Sequence, residues 1–109
     1  MPVSAKGSRR ERELIEFLVN RGYICHRVAG SGKGEDAVCD LVAVKGGKIE
    51  FIECKSRKKV YYTRDNKEQL EGLISISKKA GAVPMLAVKL NYKDWVFFNL
   101  NQGIPNKVS

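Results

Sequence analysis

The chain has 109 residues, enough for one domain with a modest core, and its 43% hydrophobic content excludes a disordered polymer. It carries 20 Lys and Arg against 12 Asp and Glu, and this net charge of +8 points to a polyanionic partner, most simply nucleic acid. No apolar run reaches the ~18 residues of a membrane span, and residues 1–6 are basic without an apolar core; the expectation is a cytoplasmic protein with no signal peptide and no membrane contact.

Residues 8–20 read as a helix. Ser8 is its expected N-cap, Glu11 three residues on would complete a capping box, and Gly22 stops it. Leu14, Ile15 and Leu18 form its apolar stripe. Glu11 sits at the head of that stripe, whereas Glu13 and Glu16 fall on the solvent side. Residues 23–29 read as a strand, and 30–36 as a flexible Gly-rich loop. That loop is not a phosphate-binding loop: Arg27 stands where the first glycine belongs, and Gly34 follows Lys33 in place of Ser or Thr. Residues 39–44 and 49–55 are two strands joined by a two-residue Gly46-Gly47 turn.

A basic link and Tyr61-Tyr62 follow. Residues 66–79 read as a second helix, with Leu70, Leu73, Ile74 and Ser77 on one face and Gly81 as its stop. Residues 83–90 are nearly all apolar, as in a strand covered on both faces, and 95–100 read as a final strand. The tail from about 102 carries Gly and Pro and is expected to be loose. The order α-β-β-β-α-β-β predicts an α/β fold, a central mixed β-sheet flanked by helices, forming a single domain over 1–109.

The hairpin carries the chemistry. With Lys45 opposite Lys48, positions summing to 93 face each other, so Asp40 is expected opposite Glu53. Facing carboxylates destabilise a sheet unless a cation lies between them. Lys55 shares Glu53's face, because strands alternate. Ordinary surface pairing of these three groups is the plainer reading, but the hairpin geometry and the basic surround favour a divalent-metal phosphodiesterase. Phosphodiester hydrolysis needs an activated water and neutralisation of charge on the phosphate, which metal ions held by carboxylates supply. Asp40 and Glu53 are the expected direct ligands, the backbone carbonyl of Cys54 a third, and Glu11 a further one, direct or through water. Lys55 is expected to orient the attacking water or to stabilise the transition state. Oxygen donors suit Mg2+, with Mn2+ as a substitute, and no small-molecule cofactor is expected.

Cys25, Cys39 and Cys54 form no paired motif, and His26 is the single histidine, so no zinc site is expected. By the hairpin register Cys39 and Cys54 oppose each other on the apolar face, away from the acidic pair. They read as small core residues, although a disulfide between them is conceivable.

Several segments together resemble one family. These are Lys6-Gly7-Ser8-Arg9-Arg10-Glu11-Arg12-Glu13-Leu14, Arg27-Val28-Ala29-Gly30-Ser31, Cys39-Asp40-Leu41-Val42-Ala43, Ile52-Glu53-Cys54-Lys55, Pro84 to Lys89, and Trp95-Val96-Phe97-Phe98. In order and over nearly the whole chain they resemble the archaeal Holliday junction resolvases of the Hjc type, within the restriction-endonuclease-like nucleases. The resemblance implies a homodimer that binds four-way DNA junctions and nicks two opposed strands with magnesium. Glu11, Asp40 and Glu53 match the family's metal positions, Lys55 its catalytic lysine, and Ser31 a loop serine important for cleavage. An archaeal or a viral origin fits equally, with the host cytoplasm as the location in the second case. Lys6, Arg9, Arg10, Arg12, Arg27, Ser31, Lys33, Arg57, Lys58 and Lys59 are the candidate DNA contacts. Two other readings stay open: a nuclease of the same fold acting on other branched or damaged DNA, and a DNA-binding protein without catalysis.

Overall fold

The structure, a computed structural model, describes residues 5–28 and 39–109. Helix α1 spans Ala5–Val19, and strands β1 (Ile24–Arg27), β2 (Leu41–Lys45) and β3 (Lys48–Arg57) follow. Next come β4 (Tyr61–Tyr62), a 3-10 turn at Thr63–Asn66, α2 (Lys67–Ala80), β5 (Val83–Leu90), β6 (Val96–Asn99), a second 3-10 turn at Leu100–Gln102 and β7 (Lys107–Val108). The main sheet has five strands in the order β1-β2-β3-β5-β6. It is mixed: β3 and β5 are parallel, as a crossover through α2 requires, and the other pairs are antiparallel.

Gly46 and Gly47 have φ of +58° and +82°, the pair of left-handed residues a tight hairpin turn demands. The ladder from Lys45↔Lys48 to Leu41↔Ile52 has the expected register. Strand alternation then sorts the core into two layers. Leu41, Ala43, Ile52 and Ala87 pack with Leu14 and Leu18 of α1. Val42, Phe51, Leu86, Val88 and Leu90 pack with Leu70 and Leu73 of α2. The central strands β3 and β5 are therefore covered on both faces. Among the described residues no helix is long and apolar enough to cross a membrane.

Four expectations need correction. Helix α1 begins at Ala5, so Ser8 lies inside it and forms no N-cap. Ala, Lys, Arg and Glu all favour helix, so one glycine at position 7 does not delay the start. Asp40 is not a ladder partner of Glu53: the pairing stops at Leu41, and the Asp40 N–H donates to the Ile52 carbonyl at 3.0 Å. This local departure from the pleat also turns Cys39 to the α2 layer, whereas Cys54 packs in the α1 layer. The two cysteines lie on opposite faces of the sheet and are free thiols. The tail is not loose at its end. Lys107–Val108 pairs with Tyr61–Tyr62, Val108 is buried, and the Thr63 hydroxyl donates to the Asn106 carbonyl at 3.0 Å.

Candidate active site

β3 delivers Glu53 and Lys55 to the face covered by α2, two residues apart on the same side of the pleat. Asp40 enters from the residue before β2. The Cys54 N–H donates to Asp40 Oδ2 at 2.8 Å, so the carboxylate is fixed by β3's own backbone. Asp40 and Glu53 are both buried, Glu53 to 3% exposure. Lys55 Nζ lies 3.3 Å from Glu53 Oε2 and donates to Gln69 Oε1 of α2 at 3.4 Å. The lysine is thus held between an acid of the sheet and an amide of the helix.

Burial pushes the Glu53 carboxyl up to about 8, the negative charge and hydrogen bond of Asp40 push the same way, and Lys55 opposes them only in part. At neutral pH the pair holds a proton where two ionised carboxylates would repel. Glu11 stands near Asp40: its carboxyl is raised, first by burial and then by the charge of Asp40. Arg27 Nε donates to Glu11 Oε1 at 2.6 Å and holds it. The Cys54 thiol is raised as well, by burial and then by the charges of Asp40, Glu11 and Glu53. The charges of all three acids therefore reach the Cys54 thiol on the α1 side of β3.

Among the described residues no three His, Cys, Asp or Glu side chains already form a metal cage. The donor set nevertheless fits a hard divalent cation. Two buried carboxylates that disfavour joint ionisation, with a third acid beside them, are oxygen ligands whose repulsion a cation removes.

The proposed contacts divide. Arg9 and Arg12 are exposed on α1, and Arg57, Lys58 and Lys59 are exposed at and after the end of β3. Arg10 is drawn inward: its Nε donates to Ser56 Oγ at 3.2 Å and its Nη1 to Glu13 Oε1 at 2.8 Å. Glu13 is thus a partner of Arg10 and not a purely solvated residue. Arg27 ties β1 to α1 through Glu11. Lys6 lies on the first turns of α1. Ser31 and Lys33 fall outside the described residues. Gln69 is the neighbour that sequence reasoning missed. The available signal was the alternation that puts Lys55 under α2, but a polar residue beside Leu70 looks like any solvated helix position.

A mixed five-stranded sheet flanked by two helices, with an acid–acid–lysine cluster at one end, is the architecture of the restriction-endonuclease-like nucleases. The comparisons narrow the class. Residues 2–105 match the family described as archaeal Holliday junction resolvase (Hjc). The chain is 37% identical over 103 residues to the crossover junction endodeoxyribonuclease Hjc of Sulfolobus acidocaldarius, covering 94% of this chain and 71% of that one. It is 43% identical over 86 residues to the Hjc of Methanocaldococcus jannaschii, covering 79% and 60%. A solved structure of Archaeoglobus fulgidus Hjc, described as a Holliday junction resolvase, superposes with a TM-score of 0.79 at 30% identity, covering 93% of this chain and 86% of that one. Cellular and viral relatives both occur. The chain belongs to the archaeal Hjc family.

Proposed function

We propose that this chain is a crossover junction endodeoxyribonuclease that resolves four-way DNA junctions by paired nicks in opposed strands. The observation that carries the reading is the buried Asp40–Glu53–Lys55 cluster at one end of the sheet, beside exposed arginines and lysines of α1 and the β3–β4 link. Asp40 and Glu53 would hold the metal, with the Cys54 carbonyl as a further oxygen donor and Glu11 as another, directly or through water. Magnesium, replaceable by manganese, would supply an activated water and neutralise charge on the phosphate. Lys55 is held by Glu53 and Gln69 and places its ammonium beside the carboxylates, where charge on the phosphate oxygens would grow. Arg9, Arg12, Arg57, Lys58 and Lys59 bind phosphates. Ser31 would take part in cleavage, as the family resemblance implies.

One cluster makes one cut, so symmetric resolution needs two copies, and a two-fold homodimer provides them. The outer edge of β6, which pairs with no other strand among the described residues, suits that contact. It is an outer strand of the sheet, Val96 on it is exposed, and Trp95, Phe97 and Phe98 are only partly covered. The protein is expected to work where DNA is, in the cytoplasm.

The test is cleavage of an immobile four-way junction beside flap and linear duplex substrates of matching sequence, with magnesium and with chelator. Paired nicks in the junction alone, lost with chelator, are expected. Equal cutting of duplex or flap would assign a nuclease of broader choice, and no cutting with intact binding would assign a DNA-binding protein. A second expectation concerns salt. Each phosphate neutralised contributes about 0.9 to the fall of log K with log salt. Replacing both Lys58 and Lys59 by Ala should lower that slope by about 2 per binding subunit, with equal weakening for unrelated arm sequences. An unchanged slope would remove the β3–β4 link from the clamp.

A further inference from the structure

Between β5 and β6 the chain turns tightly at residues 90–93, closed by the Lys93 N–H donating to the Leu90 carbonyl at 3.1 Å. The third residue of the turn, Tyr92, has φ +65°. It is the one non-glycine residue with positive φ among the described residues. Glycine is the ordinary occupant of this position, because a side chain strains a left-handed backbone. Tyr92 gains no burial in exchange, since it is fully exposed. A strained residue without packing to justify it points to work done outside the fold.

The turn is firmly placed. The Asn91 N–H donates to the carbonyls of Arg57 and Lys58, each at 3.2 Å, which clips the turn to the end of β3. Tyr92 lines a notch of about 390 Å³ with Lys58, Lys59, Leu90, Asn91 and Lys93. An aromatic face beside three ammonium groups is the chemistry that stacks a nucleobase while its flanking phosphates are neutralised.

The notch stands at the same end of the sheet as the acids. Lys55 pairs with Val88, and Arg57 with Leu90, so the strand end lies two residues, or ~7 Å, beyond Lys55. At ~3.4 Å per base step that is about two steps along a strand, and the turn reaches further. A linear duplex keeps its bases paired and stacked. The bases at a branch point are the ones least costly to unstack.

We infer that Tyr92 and its lysine notch form a base-stacking subsite that takes an unstacked nucleobase at the branch point, two or three steps from the scissile phosphate. The subsite would favour branched over linear DNA without reading sequence. This inference rests on the junction-resolving function proposed above.

The test uses the full chain and four-way junctions carrying single 2-aminopurines at the branch positions, with matched duplexes as controls. The wild-type protein should change 2-aminopurine fluorescence at one or more branch positions and bind the junction more tightly than the duplex. Tyr92→Gly should lose the fluorescence change and about 5- to 30-fold in junction affinity, with duplex affinity within about twofold. Tyr92→Phe, which keeps the ring, should behave as wild type in both. Glycine relieves the strained backbone, so Tyr92→Gly should melt no lower than wild type, and lost folding cannot explain lost binding. Wild-type fluorescence and affinity in Tyr92→Gly, or equal weakening on junction and duplex, would overturn the subsite while leaving the resolvase reading in place. A wild-type protein that neither prefers nor cuts the junction would overturn that reading and the subsite with it.

Discussion

Glu53→Gln and Asp40→Asn are each expected to reduce junction cleavage more than about 100-fold, beyond the loss typical of a group that only supports a metal ligand, while junction binding stays intact or tightens slightly. Both side chains are buried, and both amides keep the shape of the acid. The loss would therefore report the missing anionic oxygen and not a collapsed site. Phosphate contacts from exposed lysines and arginines do not pass through these positions, which is why binding should survive.

The same Glu53 substitution should show opposite effects on stability with and without metal. In the metal-free protein the Glu53 carboxyl is raised from its ordinary 4.5 to about 8, chiefly by burial and then by Asp40. An acid whose folded pKa is raised stabilises the fold in its protonated form, fully so below the unfolded pKa, and that contribution is lost as pH climbs through the folded value. Between about pH 4.5 and 8 the wild type should lose stability relative to Glu53→Gln, by a few kcal/mol at the upper end. Magnesium binds the folded wild type and should restore it by mass action, whereas the variant should respond little. Melting at pH 5 and pH 8, with magnesium and with chelator, checks both arms. Full cleavage in both variants, or a melting difference that ignores pH and metal, would remove the acid pair from the metal site.

The extent to which the site was legible follows from how local each determinant is. The Gly46-Gly47 turn and the alternation on either side of it are local, so the register of β2 and β3 could be counted from the turn. The position of Asp40 could not. Its N–H goes to Ile52 and its carboxylate takes the Cys54 N–H, and this tertiary choice breaks the pleat that the counting assumed. The same break puts Cys39 on the α2 face, opposite to the one that counting along the strand predicts. β4 and β7 are two residues each and pair across more than forty positions, so no periodicity marks either one. Gln69 and Tyr92 were invisible for different reasons. The first acts only through the packing of α2 over Lys55, and the second draws its significance from a backbone angle that a tyrosine codon does not announce.

Glu11→Gln and Glu13→Gln should separate sharply, although the residues are two positions apart on one helix. Glu11 lies close enough to Asp40 to feel its charge, whereas Glu13 spends its carboxylate on Arg10 at the helix surface. Glu11→Gln is expected to lower cleavage about 10- to 100-fold, the range for a partner that tunes a metal site, with a matching rise in the magnesium concentration needed for half activity. Glu13→Gln should stay within about twofold at saturating magnesium, because a partly exposed i,i+3 ion pair contributes little. Arg27→Ala refines the assignment. Arg27 now holds Glu11 Oε1 at 2.6 Å, and its positive charge opposes any cation that Glu11 would help to hold. If Glu11 joins the metal, removing Arg27 should lower the half-saturating magnesium concentration even while it weakens DNA binding. If Arg27 serves only to bind DNA, the magnesium dependence should not move. Equal losses from Glu11→Gln and Glu13→Gln would mean that α1 presents a different face to the site, and would leave Asp40 and Glu53 as its acids among the described residues.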